Sequence, residues 1–520
     1  MGARWHHHGH QDNAGTHVVG AVGQVSGQVI DLLVVGGGIN GAGIARDAAG
    51  RGLSVTLVER GDLASATSSW SSKLIHGGLR YLEQYEFRLV REALQEREVL
   101  LRIAPHIIRP LMFVLPHDPG MRPTWMIKAG LWLYDRLGGP ITLPRSKALS
   151  FPHLEFSAGL KPTVRQGFVY SDCRVDDSRL TVLNAVSARE KGAVVLTRTR
   201  FESARRVGGE WEAVVSTAGG ERRTLRARGI VNTAGPWVVD VLDKIEGDRI
   251  TERVRLVKGS HIVVPKVHSQ GHALILQNPD KRVVFVIPYE ANFSLIGTTD
   301  IAVKDTDEGA KITDTETEYL LAAANRFLAK PLSAKDIVWS YAGVRPLYDD
   351  GSANPSEVTR DYVLKVDEDA GKAPLLTVFG GKITTYRRLA EEALAMLKPF
   401  FPSARGDWTA GEELPGGDVG HFNAFRDAMH ARYPTLGREL VDGIVRRHGS
   451  RAPKILRDAR FAEGLGRNFG AGLTQHEIEY VVAEEWAATA EDVLWRRTKC
   501  GLHMTPQQRE SVAEFMKSGR

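Results

Sequence analysis

The run Gly36-Gly37-Gly38-Ile39-Asn40-Gly41 constrains this chain more than any other feature. It follows an apolar run, Ile30 to Val35, and opens a stretch rich in small residues, Ile39 to Arg51. A short apolar run entering a glycine turn is the pattern of a buried parallel strand. Leu53 to Val58 is a second such run, closed by Glu59, 18 residues beyond Gly41. Together these segments predict a strand–helix–strand unit. Each glycine has its own task. Gly36 permits the tight turn, Gly38 lets backbone approach a diphosphate, and Gly41 lets the helix pack on the strand. The helix N-terminus offers free N–H groups and a partial positive charge. A carboxylate at Glu59 accepts hydrogen bonds from a ribose diol and disfavours a 2′-phosphate. The unit predicts a dinucleotide site.

With 520 residues the chain has room for two or three domains. A composition of 42% hydrophobic and 25% charged residues excludes a disordered, collagenous or coiled-coil chain. Lys plus Arg number 68 against 62 Asp plus Glu, a mildly basic balance. That balance suits anionic substrates or an anionic membrane surface without demanding nucleic acid. The two cysteines, Cys173 and Cys500, exclude a disulfide framework, a zinc ribbon or a cysteine-ligated cluster, and fit a reducing compartment. No 18-residue apolar run predicts a transmembrane helix. Residues 1–29 read as a flexible leader rather than a signal peptide, and the histidine-rich stretch at 6–10 as a solvated tail. No metal site is expected.

Further along, residues 84–103 read as a helix. The middle of the chain is rich in strand-like runs: Ala193–Thr197, Trp211–Ser216, Gly229–Ala234, Ser260–Pro265, Arg282–Pro288 and Phe293–Thr298. Leu375–Phe379 is a last apolar strand before Gly380-Gly381-Lys382 and a helical stretch, Tyr386–Leu397. Beyond about residue 405 the chain reads as helical and charged, after a linker rich in proline and glycine. The basic run Arg446, Arg447, Arg451, Lys454 and Arg457 reads as a solvated helix face, and no nucleic-acid motif accompanies it.

The glycine fingerprint does not choose between NAD and FAD; later segments do. The stretch from Ala66 to Tyr81 is rich in hydroxyls suited to phosphate and ribityl oxygens, and Gly77-Gly78 lets a flat ring lie against backbone. Ala234-Gly235 ends another apolar strand. Near residue 380 a helix begins whose N-terminus would place partial positive charge beside a reduced flavin.

The chain resembles the FAD-dependent glycerol-3-phosphate dehydrogenases of the aerobic, respiratory type, within the D-amino-acid-oxidase-like flavoproteins. The resemblance rests on VVGGGINGAGIARDAAGRGLSV, HGGLRYL, YSDCRVDDSRL, KGSHIVVP, IGTTD, GVRPL and FGGKITTYRRLAE. It implies an α/β and α+β fold with a Rossmann-like FAD-binding domain, an antiparallel-sheet substrate domain and an all-α C-terminal cap. The oxidoreductase region is placed at 30–400 and the helical domain at 401–520. FAD-binding parts fall at roughly 30–85, 165–255 and 340–400; substrate and membrane parts fall at roughly 86–164 and 256–339. Implied contacts of a non-covalent FAD are Gly36, Gly38, Asn40, Gly41 and Glu59 in the first unit. Thr67, Ser68, Ser69, Ser72, Lys73, Leu74, His76, Gly77 and Gly78 follow in the second loop. Ala234, Gly235, Gly380, Gly381, Lys382, Ile383 and Thr384 complete the set.

The implied reaction is oxidation of sn-glycerol 3-phosphate to dihydroxyacetone phosphate, with electrons passed to quinone at the inner face of the cell membrane. Arg80, Tyr81, Lys258 and Arg345 are the implied substrate ligands; His261, Arg345 and Lys382 are the implied catalytic residues. A guanidinium suits a phosphate because it donates two parallel hydrogen bonds. His261 is the expected base for the hydroxyl proton. The absence of a D-x-[DN]-x-[DN]-G loop favours the bacterial type. A homodimer is compatible with this picture. An oxygen-using oxidase, an amine-oxidising flavoprotein and an NAD-dependent dehydrogenase remain competing readings.

Residues 123–138 hold Trp125, Met126, Ile127, Leu131, Trp132, Leu133 and Tyr134 with Lys128 and Asp135. Two tryptophans and a tyrosine among basic residues suit a lipid interface, while a helix packed on the core has the same pattern.

Overall fold

The computed structural model describes residues 28–117, 123–153, 155–247, 250–280, 282–349, 361–367 and 372–518. The leader and its histidine stretch therefore fall outside the described residues, apart from residues 28 and 29, and Val29 already belongs to the first strand, Val29–Val35.

Two large sheets carry the molecule. The first is built on five parallel strands in the order Leu375–Phe379, Arg222–Asn232, Val29–Val35, Val55–Val58, Val194–Leu196. Both faces are covered, as a parallel sheet requires. On one side the helices Ile39–Gly50, Asp177–Glu190 and Tyr386–Leu397 share a core with Leu32, Val34 and Leu57. On the other, Leu33 and Val35 pack against Phe201 and Trp211 from an antiparallel hairpin and Val238 from a short helix.

The second sheet has ten strands and is almost wholly antiparallel. Its long central strand, Val254–Pro265, pairs with Trp339–Tyr348 on one side and Phe293–Gly297 on the other. Side chains alternate between faces. Ile262 and Val264 pack under the helix Asp314–Asn325, while Val263 joins the opposite cluster with Leu295 and Tyr341. The strands Gln166–Val175 and Trp339–Tyr348 were expected among the FAD-binding parts, and both run in this second sheet. The chain crosses between the two sheets several times.

The C-terminal region is helical, with Phe422–Arg432, Arg438–His448, Gln475–Glu485 and Pro506–Ser518. It is not purely so: Asn468–Gly470 and Leu473–Thr474 form a small hairpin. Buried ion pairs dock it on the rest. Arg496 and Arg497 reach Asp62 at 2.6 and 2.7 Å, Lys499 reaches Asp176 at 2.9 Å, and Arg179 binds Glu485.

Candidate active site

The glycine turn forms as the spacing predicts. Gly36 has φ +111°, a conformation open to glycine, and a Cβ there would lie 2.7 Å from the Thr233 carbonyl. A Cβ on Gly41 would stand 1.9 Å from the Gly36 carbonyl oxygen, so the helix can approach the strand only without a side chain. The helix Ile39–Gly50 has no acid in its first turn, and Ser68 Oγ accepts from the Ile39 N–H at 3.0 Å. Glu59 accepts from the Gly37 and Gly61 N–H groups, each at 2.7 Å. Burial pushes its carboxyl up, against those two hydrogen bonds.

A cavity of about 290 Å³ opens over this turn. Of the expected contacts, Gly36, Gly38, Asn40, Glu59, Thr67, Ser68, Ala234, Gly235, Gly380 and Gly381 line it. So do Thr199 and Phe201, which the sequence reading missed; they lie just past a strand paired with Val55–Val58. Asn40 Oδ1 is buried with no hydrogen-bond partner among the described residues, while its amide donates to the Gly380 carbonyl at 3.1 Å. A helix N-terminus free of acids, a carboxylate at the end of the second strand and an unpaired buried acceptor all fit a flavin dinucleotide.

The loop after residue 66 is more structural than expected. Thr67 donates to the Val344 carbonyl at 2.6 Å and Ser69 donates to the Ala64 carbonyl. Lys73 is buried, and its ammonium lies 2.9 Å from Asp177 and 2.8 Å from the Ser69 carbonyl. Burial lowers its pKa against the pull of Asp177. Lys73 is therefore a strut beneath the loop and does not line the nucleotide cavity. The Leu74 side chain likewise points into the apolar core. The Gly77 N–H is held at 2.9 Å by the Tyr134 hydroxyl, which donates to Asp172 at 2.7 Å. The His76 N–H donates to Thr384 Oγ1 at 3.3 Å, so this loop faces the segment after Gly381. Across the same gap the Lys382 ammonium sits 3.9 Å from the centre of the Tyr81 ring. Arg80 is half-buried in the same short turn, Leu79–Gln84. Ile383 packs at the edge of the cluster around Ile75.

The long strand of the second sheet supplies the rest. His261 Nε2 lies 2.9 Å from Ser72 Oγ, and its ring stacks on Tyr341 at 4.8 Å. Nδ1 of His261 is buried without a partner among the described residues. Burial, then the charges of Lys73 and Arg345, hold this imidazole well below its ordinary pKa, so it is neutral at pH 7. Arg345 is paired in register with Val257, on the His261 face, and bonds Asp300 at 2.5 Å and the Thr299 carbonyl at 3.0 Å. Gly259 lies between them; a Cβ there would come within 2.9 Å of the Arg345 guanidinium.

Lys258 is a correction. It points to the opposite face, where its ammonium lies 2.8 Å from Glu316 on the helix Asp314–Asn325. Both side chains are buried, and Ser260 and Thr299 also donate to Glu316. Lys258 holds the sheet to a helix and is not brought to the site. Tyr341, Asp177 and Asp300 were missed, although the last two lie inside quoted segments, YSDCRVDDSRL and IGTTD.

A nucleotide cleft beside an antiparallel sheet carrying a neutral histidine and an arginine fits a dinucleotide-dependent oxidoreductase. Family comparison gives the particular class: residues 31–387 match the FAD dependent oxidoreductase family and residues 408–518 match the C-terminal domain of alpha-glycerophosphate oxidase. The chain belongs to this family of FAD-dependent oxidoreductases. It is 52% identical over 493 residues to a D-erythritol 1-phosphate dehydrogenase of Brucella abortus, covering 94% of this chain and 98% of the relative. It is 51% identical over 490 residues to the aerobic glycerol-3-phosphate dehydrogenase of Escherichia coli, covering 94% and 97%. Among solved structures, the glycerol-3-phosphate dehydrogenase of Bacillus halodurans complexed with FAD superposes with a TM-score of 0.73 at 26% identity, over 97% of each chain.

Proposed function

We propose that this enzyme oxidises sn-glycerol 3-phosphate to dihydroxyacetone phosphate and passes the electrons to a membrane quinone. The observation that carries the reading is the pairing of a neutral, buried His261 with Arg345 on one face of the sheet. FAD, when bound, supplies the acceptor for the hydride leaving the carbinol carbon. Gly36, Gly38 and the helix N-terminus hold its diphosphate, and Glu59 its ribose. Arg345 grips the substrate phosphate, with Arg80, Tyr81 and Lys382 closing the same gap. His261 receives the hydroxyl proton at its unpartnered Nδ1.

A four-carbon polyol phosphate is the second reading, because the Brucella relative named for one is as similar as those named for glycerol 3-phosphate. Anaerobic addition of sn-glycerol 3-phosphate is expected to bleach the flavin band, with a higher kcat/KM than D-erythritol 1-phosphate. The reverse ranking selects the second reading. Reoxidation by a quinone analogue, faster than by oxygen, is expected of a dehydrogenase; stoichiometric peroxide identifies an oxidase.

Membrane contact is assigned to the outer face of the helix Thr124–Leu137. Trp125 and Trp132 there are 66% and 57% exposed, beside exposed Lys128. Among the described residues no helix is long and apolar enough to cross a membrane. Anionic vesicles are expected to sediment the protein, and replacing both tryptophans by serine to abolish this. Equal sedimentation of that variant rejects the assignment.

A further inference from the structure

A second and larger cavity, about 1090 Å³, lies between the antiparallel sheet and the helical C-terminal region. Arg109 and Arg174 line it and stand directly opposite each other on neighbouring antiparallel strands. Like charges in that position repel. Among the described residues neither arginine has an acidic partner within ion-pair distance. Arg109 is oriented by the His106 carbonyl at 3.0 Å and by the Phe422 ring at 4.3 Å. Arg446 enters from the helix Arg438–His448, where Asp442 lies 4.0 Å away. The basic run that reads as a solvated face in the sequence thus places two arginines on the cavity wall, Arg446 exposed and Arg447 bound by Glu477.

Two further features bear on the cavity. His106 lines it, is 1% exposed, and has no hydrogen-bond partner on either ring nitrogen among the described residues. Of the acids on the lining, Asp176 is bound by Lys499, Asp442 lies 2.8 Å from His430, and Glu439 is exposed. Glu290 faces both Arg109 and Arg174, and its carboxyl is held above the usual carboxylate range first by burial and then by Asp176.

We infer that this cavity is a second anion site, in which Arg109, Arg174 and Arg446 together grip a soluble phosphate ester or diphosphate at the junction of the two regions. The ligand would relieve the repulsion between the two strands and tie them to the C-terminal helix.

The test uses the FAD-loaded Arg345→Ala protein, so that phosphate binding in the substrate site is removed. Calorimetric titration with inorganic pyrophosphate at constant ionic strength is expected to show one site. Adding Arg109→Gln and Arg174→Gln should weaken it by roughly tenfold or more, the scale of charge-assisted bonds to a phosphate. Retention of the flavin absorbance shows that the triple variant is folded; Arg446→Gln in the Arg345→Ala background is a second, milder variant expected to weaken binding in the same direction. No binding, unchanged affinity in both variants, or binding confined to phosphatidylglycerol vesicles overturns the inference. None of these outcomes bears on turnover, so this site and the proposed reaction fail separately.

Discussion

The parallel and the antiparallel sheet place their chemistry differently. In the parallel sheet both faces are buried, so functional groups gather in the loops beyond the strand ends: Gly36 to Gly41, Glu59, and Ala234-Gly235. In the antiparallel sheet the functional groups sit within the strands, and a residue's parity decides its fate. Val257, Gly259 and His261 face the site with Tyr341, Gly343 and Arg345, whereas Lys258 and Ser260 face a helix and serve Glu316. A loop site is contiguous and is written as a motif. A face site is written as every second residue, and neighbours in the same motif have unrelated roles.

The largest effect should come from the loop site. Gly41→Val has no room for its side chain, with the Gly36 carbonyl 1.9 Å from the first carbon. Purified protein is expected to carry no flavin absorbance; a yellow Gly41→Val protein breaks the account of the turn. Next comes the face site. Arg345→Ala should retain FAD but lose about 100-fold in kcat/KM, since hydrogen bonds to charged groups contribute about 1.5–3 kcal/mol. Undiminished kcat/KM there removes Arg345 from the substrate site.

The same contrast explains what was legible beforehand. The nucleotide turn was readable because strand, glycines, helix and acid lie within residues 30–59. Lys258 was misread because KGSH presents it three residues from His261, and an odd spacing in a strand means opposite faces. Lys73 was read as a cofactor contact because its partner, Asp177, lies 104 residues away on the helix Asp177–Glu190. The helix Thr124–Leu137 read as one apolar surface, yet it divides: Leu131, Tyr134 and Asp135 face inward, and Trp125 and Trp132 face out. Tyr341 gave its own signal, four residues before Arg345 in the same strand and hence on the same face.

Lys258→Met sharpens the comparison from the structural side. It leaves a buried carboxylate without its cation, which costs about 3 kcal/mol of stability by denaturant unfolding, while KM stays unchanged in the folded enzyme. A raised KM with normal stability would return Lys258 to the site. The pH dependence has a definite sign. Burial acts to raise the Glu316 pKa, but hydrogen bonds from Lys258, Ser260, Thr313 and Thr299 hold it below its ordinary value. A carboxyl depressed in the folded state stabilises above its unfolded pKa, and the gain is lost as pH falls through the folded value. The gap between wild type and Lys258→Met should therefore narrow as the pH drops below about 4.5, the ordinary glutamate range.

The smallest expected effect lies where the two kinds of site meet. Tyr134 stands on a helix beside the antiparallel sheet, yet its hydroxyl holds the Gly77 N–H of the flavin loop and is itself anchored by Asp172. Asp172 is fixed in turn by Arg97 at 2.9 Å, so the loop inherits its position from the second sheet. Tyr134→Phe removes one hydroxyl and leaves two buried partners short of a bond, about 1–3 kcal/mol in stability. The Gly77 N–H retains a long contact to Asp172 at 3.4 Å, which should keep the loss near the lower end. If the loop is a flavin contact, the variant should also shift the flavin absorbance or weaken FAD retention about tenfold or less. A loss of stability with unaltered flavin binding would mean that Gly77 packs the protein core only, and that the flavin site is made by the parallel sheet's loops alone.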